Sequence, residues 1–166
     1  MITPIKDMPL NSRVWVYQAS RELNNDESEQ IINRSNDFIN TWYSHNEELR
    51  ASVEIRYNRF IIIYVDESVA SVGGCSLDKS VRFVKSIEQE FQVPLFDRMN
   101  FAYKDNGVVK SANKSEFEHL VSEGIIHEDT IVFNNLVSTK DELQHHWEIP
   151  FKNSWHQRLF PIHHKV

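Results

Sequence analysis

An α+β fold, with an antiparallel or mixed sheet carrying two main helices on one face, follows from three features of this 166-residue sequence. Residues 52–57 alternate strictly, with Val53, Ile55 and Tyr57 on one side and Ser52, Glu54 and Arg56 on the other, as a half-buried strand requires. Residues 60–65 are unbroken apolar, which marks a strand covered on both faces at the centre of a sheet. Segments before and after this pair repeat their apolar residues at helical spacing.

Taken in order, residues 13–19 are dense in β-branched and aromatic side chains and read as a first strand. Asn24, Asn25 and Asp26 end it. Asp26 with Glu29 makes a capping box for a helix of about 26–44, which puts Ile31, Ile32, Ser35, Phe38, Ile39 and Trp42 on one face. Asn58 and Arg59 turn the half-buried strand into the apolar one. A solvated loop, 66–71, leads to Gly73 and Gly74 and then to a helix carrying Leu77, Val81, Val84, Ile87 and Phe91, which Pro94 closes off. Residues 96–104 and 107–111 flank Asp105, Asn106 and Gly107, a turn whose Asn and Gly accept positive φ, so a hairpin is expected. Ser115 with Glu118 forms a second capping box, and Gly124 stands where a helix of roughly 115–123 ends. A final strand at 131–137, a short helix at 139–147, and a C-terminal segment docked through Trp155 and Phe160 complete the chain.

The order β, α, β, β, α, β over 13–104 is that of the split βαβ unit, ferredoxin-like when the first strand inserts between its neighbours. A core of 1–96 is therefore expected. Residues 97–166 form a hairpin-helix-strand extension that either continues the sheet or makes a small second unit.

Composition sets the exclusions. One cysteine permits neither an intramolecular disulfide nor a Cys-rich zinc site, in keeping with a reducing, cytoplasmic setting. The first ten residues hold Lys6, Asp7 and two prolines but no signal-like apolar core, and no later run reaches membrane-span length. A formal charge of −6 argues against a sequence-independent grip on nucleic acid. Of eight histidines, His145 and His146 are adjacent and so point apart on a helix, His163 and His164 sit in the tail, and His119, His127 and His156 are scattered. No metal or cofactor is expected.

The densest concentration of chemistry is 73–83, with two of the four glycines and the sole cysteine at a helix start. Glycines allow positive φ or close approach, and a helix N-terminus offers unpaired N–H groups to an anion or a thiolate. If Ser76 caps the helix, Cys75 lies just outside its positive end, where its thiolate gains stability. Asp78 in the first turn opposes this unless Arg82, four residues on, neutralises it. The commoner role of a lone cysteine is a small buried apolar residue. An anion-binding set of Gly73, Gly74, Ser76, Asp78 and Arg82 with Arg56 and Arg59 is the alternative, the plainer reading being arginines that are solvated or paired with Glu54 and Asp66. Trp147 and Trp155 either line a groove or anchor the C-terminal segment.

Five segments, 13–19, 54–60, 74–78, 133–137 and 154–156, resemble those of a family of short bacterial proteins often labelled ABC transporter ATPase, and the likeness spans nearly the whole chain. The resemblance implies no catalytic residues, and a Walker A loop is absent: Gly73 and Gly74 run into Cys75 and Ser76, with Lys79 out of place on the helix. The last third, from Asp105, Asn106 and Gly107 through 115–125 and 129–132 to Trp147 and Pro150, is similar to GYF-like modules, which implies aromatic surfaces associated with peptide binding.

Two function classes stay open. One is a binding or interaction protein that recognises a protein partner or a small anionic ligand through 73–78 and the neighbouring arginines. The other is a small enzyme with Cys75 as nucleophile. A homodimer through the strand at 52–57 is compatible with either, provided that strand lies at a sheet edge.

Overall fold

The half-buried and the fully apolar strand form a hairpin at the heart of the molecule, whose computed structural model describes residues 1–163; His164 falls outside them. β1 (Arg13–Gln18), α1 (Asn25–Ile39), the two-residue strands β2 (Tyr43–Ser44) and β3 (Glu47–Glu48), β4 (Arg50–Arg56), β5 (Phe60–Asp66) and α2 (Gly74–Phe91) make the first half. β6 (Asn100–Asp105), β7 (Val108–Asn113), α3 (Lys114–Ser122), β8 (Ile131–Phe133), α4 (Lys140–His146), β9 (Glu148–Pro150) and α5 (His156–Leu159) make the second. The fold is α+β, with antiparallel sheets β1-β5-β4, β2-β3 and β7-β6-β8-β9.

Every residue of β5 is buried, because both of its faces are covered. Ile61, Ile63 and Val65 face α1 and α2 and pack with Ile31, Ile39, Trp42, Val84 and Ile87, so both main helices lie on one side of the sheet. Phe60, Ile62 and Tyr64 face the other way, onto Ala102, Phe133, Val137, Leu143 and Trp147. Each fully buried side chain of this size contributes roughly 1.5–3 kcal/mol. A third cluster, with Phe101, Phe117, Phe151 and Phe160, fills the far side of the second sheet under α3 and α5.

Local chemistry moved several boundaries. The α1 capping box is Asn24 with Glu27 rather than Asp26 with Glu29, and the helix stops at Ile39, so Tyr43 and Ser44 are strand. α3 is capped by Asn113, whose side chain accepts from the Glu116 N–H at 2.9 Å, instead of by Ser115. The β4–β5 turn places Tyr57 and Asn58, at φ 56° and 49°, in the left-handed region, one residue earlier than expected. The hairpin at Asn106 and Gly107 is as expected, with φ 51° and 79°. The strand expected at 131–137 is only the three residues of β8, and β9 follows α4.

The fourth strand of the βαββαβ order is the main departure. β1, β5 and β4 are arranged as the split βαβ unit requires, but β6 pairs with β7 and β8 instead of β1. Residues 96–99 redirect the chain: the Asp97 carboxylate accepts from the Met99 N–H at 2.9 Å, a local turn that interrupts the extension from Pro94. β4 is an edge strand as the dimer reading required, but part of its edge is already used. Ile2 bridges Ala51 in parallel, and the Ala51 N–H and C=O bond to Met1 and Thr3.

Candidate functional site

The structure does not assemble the site expected around the glycine pair. Gly73 is itself the N-cap of α2, with an extended φ of −89°, and a Cβ at Gly74 would meet nothing within 4 Å. Neither glycine serves a positive φ or a close approach. Ser76 is the third helical residue rather than the cap; its Oγ accepts from the Gly73 N–H at 2.8 Å and donates to the Gly73 carbonyl at 2.9 Å. Its carbonyl accepts from Trp42 Nε1 at 2.9 Å, so Ser76 fastens α2 to the end of α1. Cys75 therefore lies inside the first turn, exposed, and its thiol makes no hydrogen bond among the described residues. Asp78 lies beyond the first turn, and the expected Asp78–Arg82 ion pair does not form.

Arg56 and Arg59 stand at the start of β5, whereas α2 begins beyond its far end, so the strand separates them from Gly73 by roughly 20 Å at strand rise. Arg56 pairs with Glu54, donates to the Tyr64 hydroxyl at 3.3 Å and lies 5.4 Å from the centre of the Trp147 ring. Arg59 is 9% exposed and donates to Ser111 Oγ at 3.0 Å; burial pulls its pKa below the ordinary guanidinium value, against the opposing charge of Glu22. Both arginines are engaged by partners within the fold. Among the described residues, no three His, Cys, Asp or Glu side chains gather as metal ligands would.

What the fold does assemble is a cleft of about 820 Å³ along the free edge of β1. Its walls are β1 itself, Val81 and Lys85 of α2, the redirected segment from Leu95 to β6, the loop after β8, and Trp155 with His156. The cleft exists because β6 left the first sheet. β1 then has β5 on one side and an open edge on the other.

Hydrogen-bond alternation defines that edge. Ala19 N–H bonds to Arg59 on the β5 side, whereas Val14 N–H bonds to Ser138 O at 3.0 Å and Ser20 N–H to Pro94 O at 3.1 Å on the outer side. In an antiparallel ladder, successive residues turn their backbone groups to opposite sides, so the N–H and C=O of Val16 and Gln18 point outward between these two brackets. Among the described residues these outward groups have no backbone partner.

Side chains furnish the edge with rings and cations. Trp15 and Tyr17 lie on the helix face of β1; Tyr17 meets Phe96 edge-on at 5.5 Å, and Arg13 covers Trp15 at 4.6 Å. Lys85 stands 6.0 Å from the centre of the Phe96 ring. Burial raises the Tyr17 pKa above the ordinary phenol value, so it remains a neutral donor. Leu136 and Phe96 are exposed at the cleft.

The floor is held by a chain of side-chain hydrogen bonds. Trp147 Nε1 donates to Asn135 Oδ1 at 2.9 Å, Asn135 Nδ2 donates to Gln18 Oε1 at 2.8 Å, and Gln18 Nε2 donates to Asn100 O at 2.9 Å. Beside it, Trp155 Nε1 donates to Asn134 Oδ1 at 3.0 Å. Of the two tryptophans considered for a groove, Trp155 lines it and Trp147 is buried beneath it.

Sequence reasoning missed Trp15, Tyr17, Lys85, Phe96 and Arg98. β1 is apolar on both faces, which reads as a central strand rather than an edge, and only Asp97 signalled that the next strand would turn away. No family model, curated protein or solved structure matches the chain. No helix of the described residues is long and apolar enough to cross a membrane.

Proposed function

We propose that this protein is a binding module that takes an extended segment of a partner protein into the cleft and adds it as a strand to the outer edge of β1. The observation that carries the reading is the pair of outward-facing backbone positions, Val16 and Gln18, inside a cleft whose volume suits a specific ligand. Strand addition draws affinity from main-chain hydrogen bonds and specificity from pockets for alternate side chains. Here each new backbone bond contributes about 0.5–1.5 kcal/mol, and Trp15, Tyr17 and Phe96 supply the apolar contact area.

A displayed library of random octapeptides, selected on the full chain, tests this. Selected peptides should slow amide exchange at Val16 and Gln18. N-methylation of one peptide nitrogen that faces β1 should weaken binding by about tenfold, since one lost backbone bond with its steric clash is worth about 1.4 kcal/mol. Val16→Pro, which removes an outward N–H from an edge strand, should do the same with the fold retained by circular dichroism. Failure to select a binder, or protection elsewhere with none at Val16 and Gln18, refutes strand addition.

A further inference from the structure

We infer that the segment added to β1 is acidic, with carboxylate side chains alternating with apolar ones, an inference that rests on the strand-addition reading above. The whole chain carries a formal charge of −6, yet the cleft is lined by Arg13, Lys85 and Arg98 against Asp97 alone. Asp97 is engaged by the Met99 N–H at 2.9 Å. Arg13 is 3.5 Å from Glu67, which leaves Lys85 and Arg98 as exposed cations with no carboxylate within ion-pair distance among the described residues. The cleft is thus a positive island on a negative protein, and charges of opposite sign across an interface set partner choice and encounter rate.

The alternation follows from the sheet. Side chains of a strand beside β1 point by turns to the two faces of the sheet. On the helix face they meet Trp15 and Tyr17, with Arg13 of the same parity and Lys85 of α2 close by. On the opposite face they meet Val14 and Val16, which pack with Phe133 and Val137 and carry no cation. One parity of the added segment therefore takes carboxylates, and the other takes branched aliphatic side chains.

Two end-blocked octapeptides test this on the full chain, one alternating glutamate with valine and one alternating lysine with valine. The acidic peptide should bind at least about tenfold more tightly at about 0.05 M salt, with the gap narrowing at about 1 M as screening shortens. Lys85→Glu together with Arg98→Glu should reverse the preference, and Lys85→Gln with Arg98→Gln should abolish it should the reversed pair fail to fold. Lys79→Glu makes the same charge change on an exposed part of α2 outside the cleft and should leave the preference in place. Equal affinities, or a preference that survives neutralisation of both cations, overturn the acidic assignment, and strand addition still stands if Val16 and Gln18 are protected. No protection by either peptide or by any library peptide overturns both.

Discussion

Asn135→Ala tests whether the floor of the cleft is held as described. Asn135 bridges two buried side chains: Trp147 is 1% exposed and Gln18 8%. Alanine leaves the indole N–H without an acceptor and the Gln18 Oε1 without a donor. A buried donor stranded in this way costs about 1–3 kcal/mol. The amide oxygen faces the cleft, where water replaces part of the loss, so the sum is about 2–4 kcal/mol. For a domain of this size each kcal/mol lowers the melting temperature by about 2–4 °C, giving a fall of roughly 5–15 °C. Urea unfolding followed by tryptophan fluorescence reads the change directly, and the slope against urea should stay constant, since little surface exposure changes. A loss below about 0.5 kcal/mol would refute the argument, because it would mean that neither buried group depended on Asn135.

Two other outcomes follow from buried polar groups. His156 is 1% exposed, its Nδ1 lies 2.6 Å from Ser154 Oγ, and burial against the Phe101 and Phe117 rings pushes its pKa down to about 4. The unfolded chain takes up that proton near pH 6.5 and the folded chain does not until about 4, so stability is full above pH 6.5 and falls as pH drops, by about 3 kcal/mol in all; His156→Asn should flatten the slope of stability between pH 6.5 and 4.5, and an unchanged slope counts against it. Lys140 is 8% exposed and its Nζ donates to the carbonyls of Ile5 and Met8, each at 2.8 Å; Lys140→Met should cost about 2–3 kcal/mol and speed proteolysis of the first twelve residues, and equal cleavage rates would contradict the contact.

The first sheet was legible because its signals are local and periodic. The strict alternation of β4, the apolar run of β5 and the helical spacing in α1 and α2 each follow from which faces must be buried, and these elements lie where burial alone puts them. Caps were harder to read. At α1 and α3 several Asn, Asp and Ser residues compete for one role, and the asparagine that precedes the first turn took it in both. The cleft was not legible for a different reason. Gly73, Gly74 and Cys75 carry suggestive local chemistry at a helix start, while the cleft depends on where β6 pairs, a tertiary choice that leaves only the Asp97 turn in the sequence.

The brackets at Ser138 and Pro94 have a bearing on solubility. A bare sheet edge invites another copy of the same chain to stack on it, and ordered growth of that kind needs a flat run of about six residues. Here the carbonyls of Ser138 and Pro94 close the edge at Val14 and at Ser20, leaving a window of five residues, 15–19, in between. That window is shorter than the run that ordered stacking needs. The same two contacts that frame the cleft therefore shorten the free run of β1 below the length that self-templating needs.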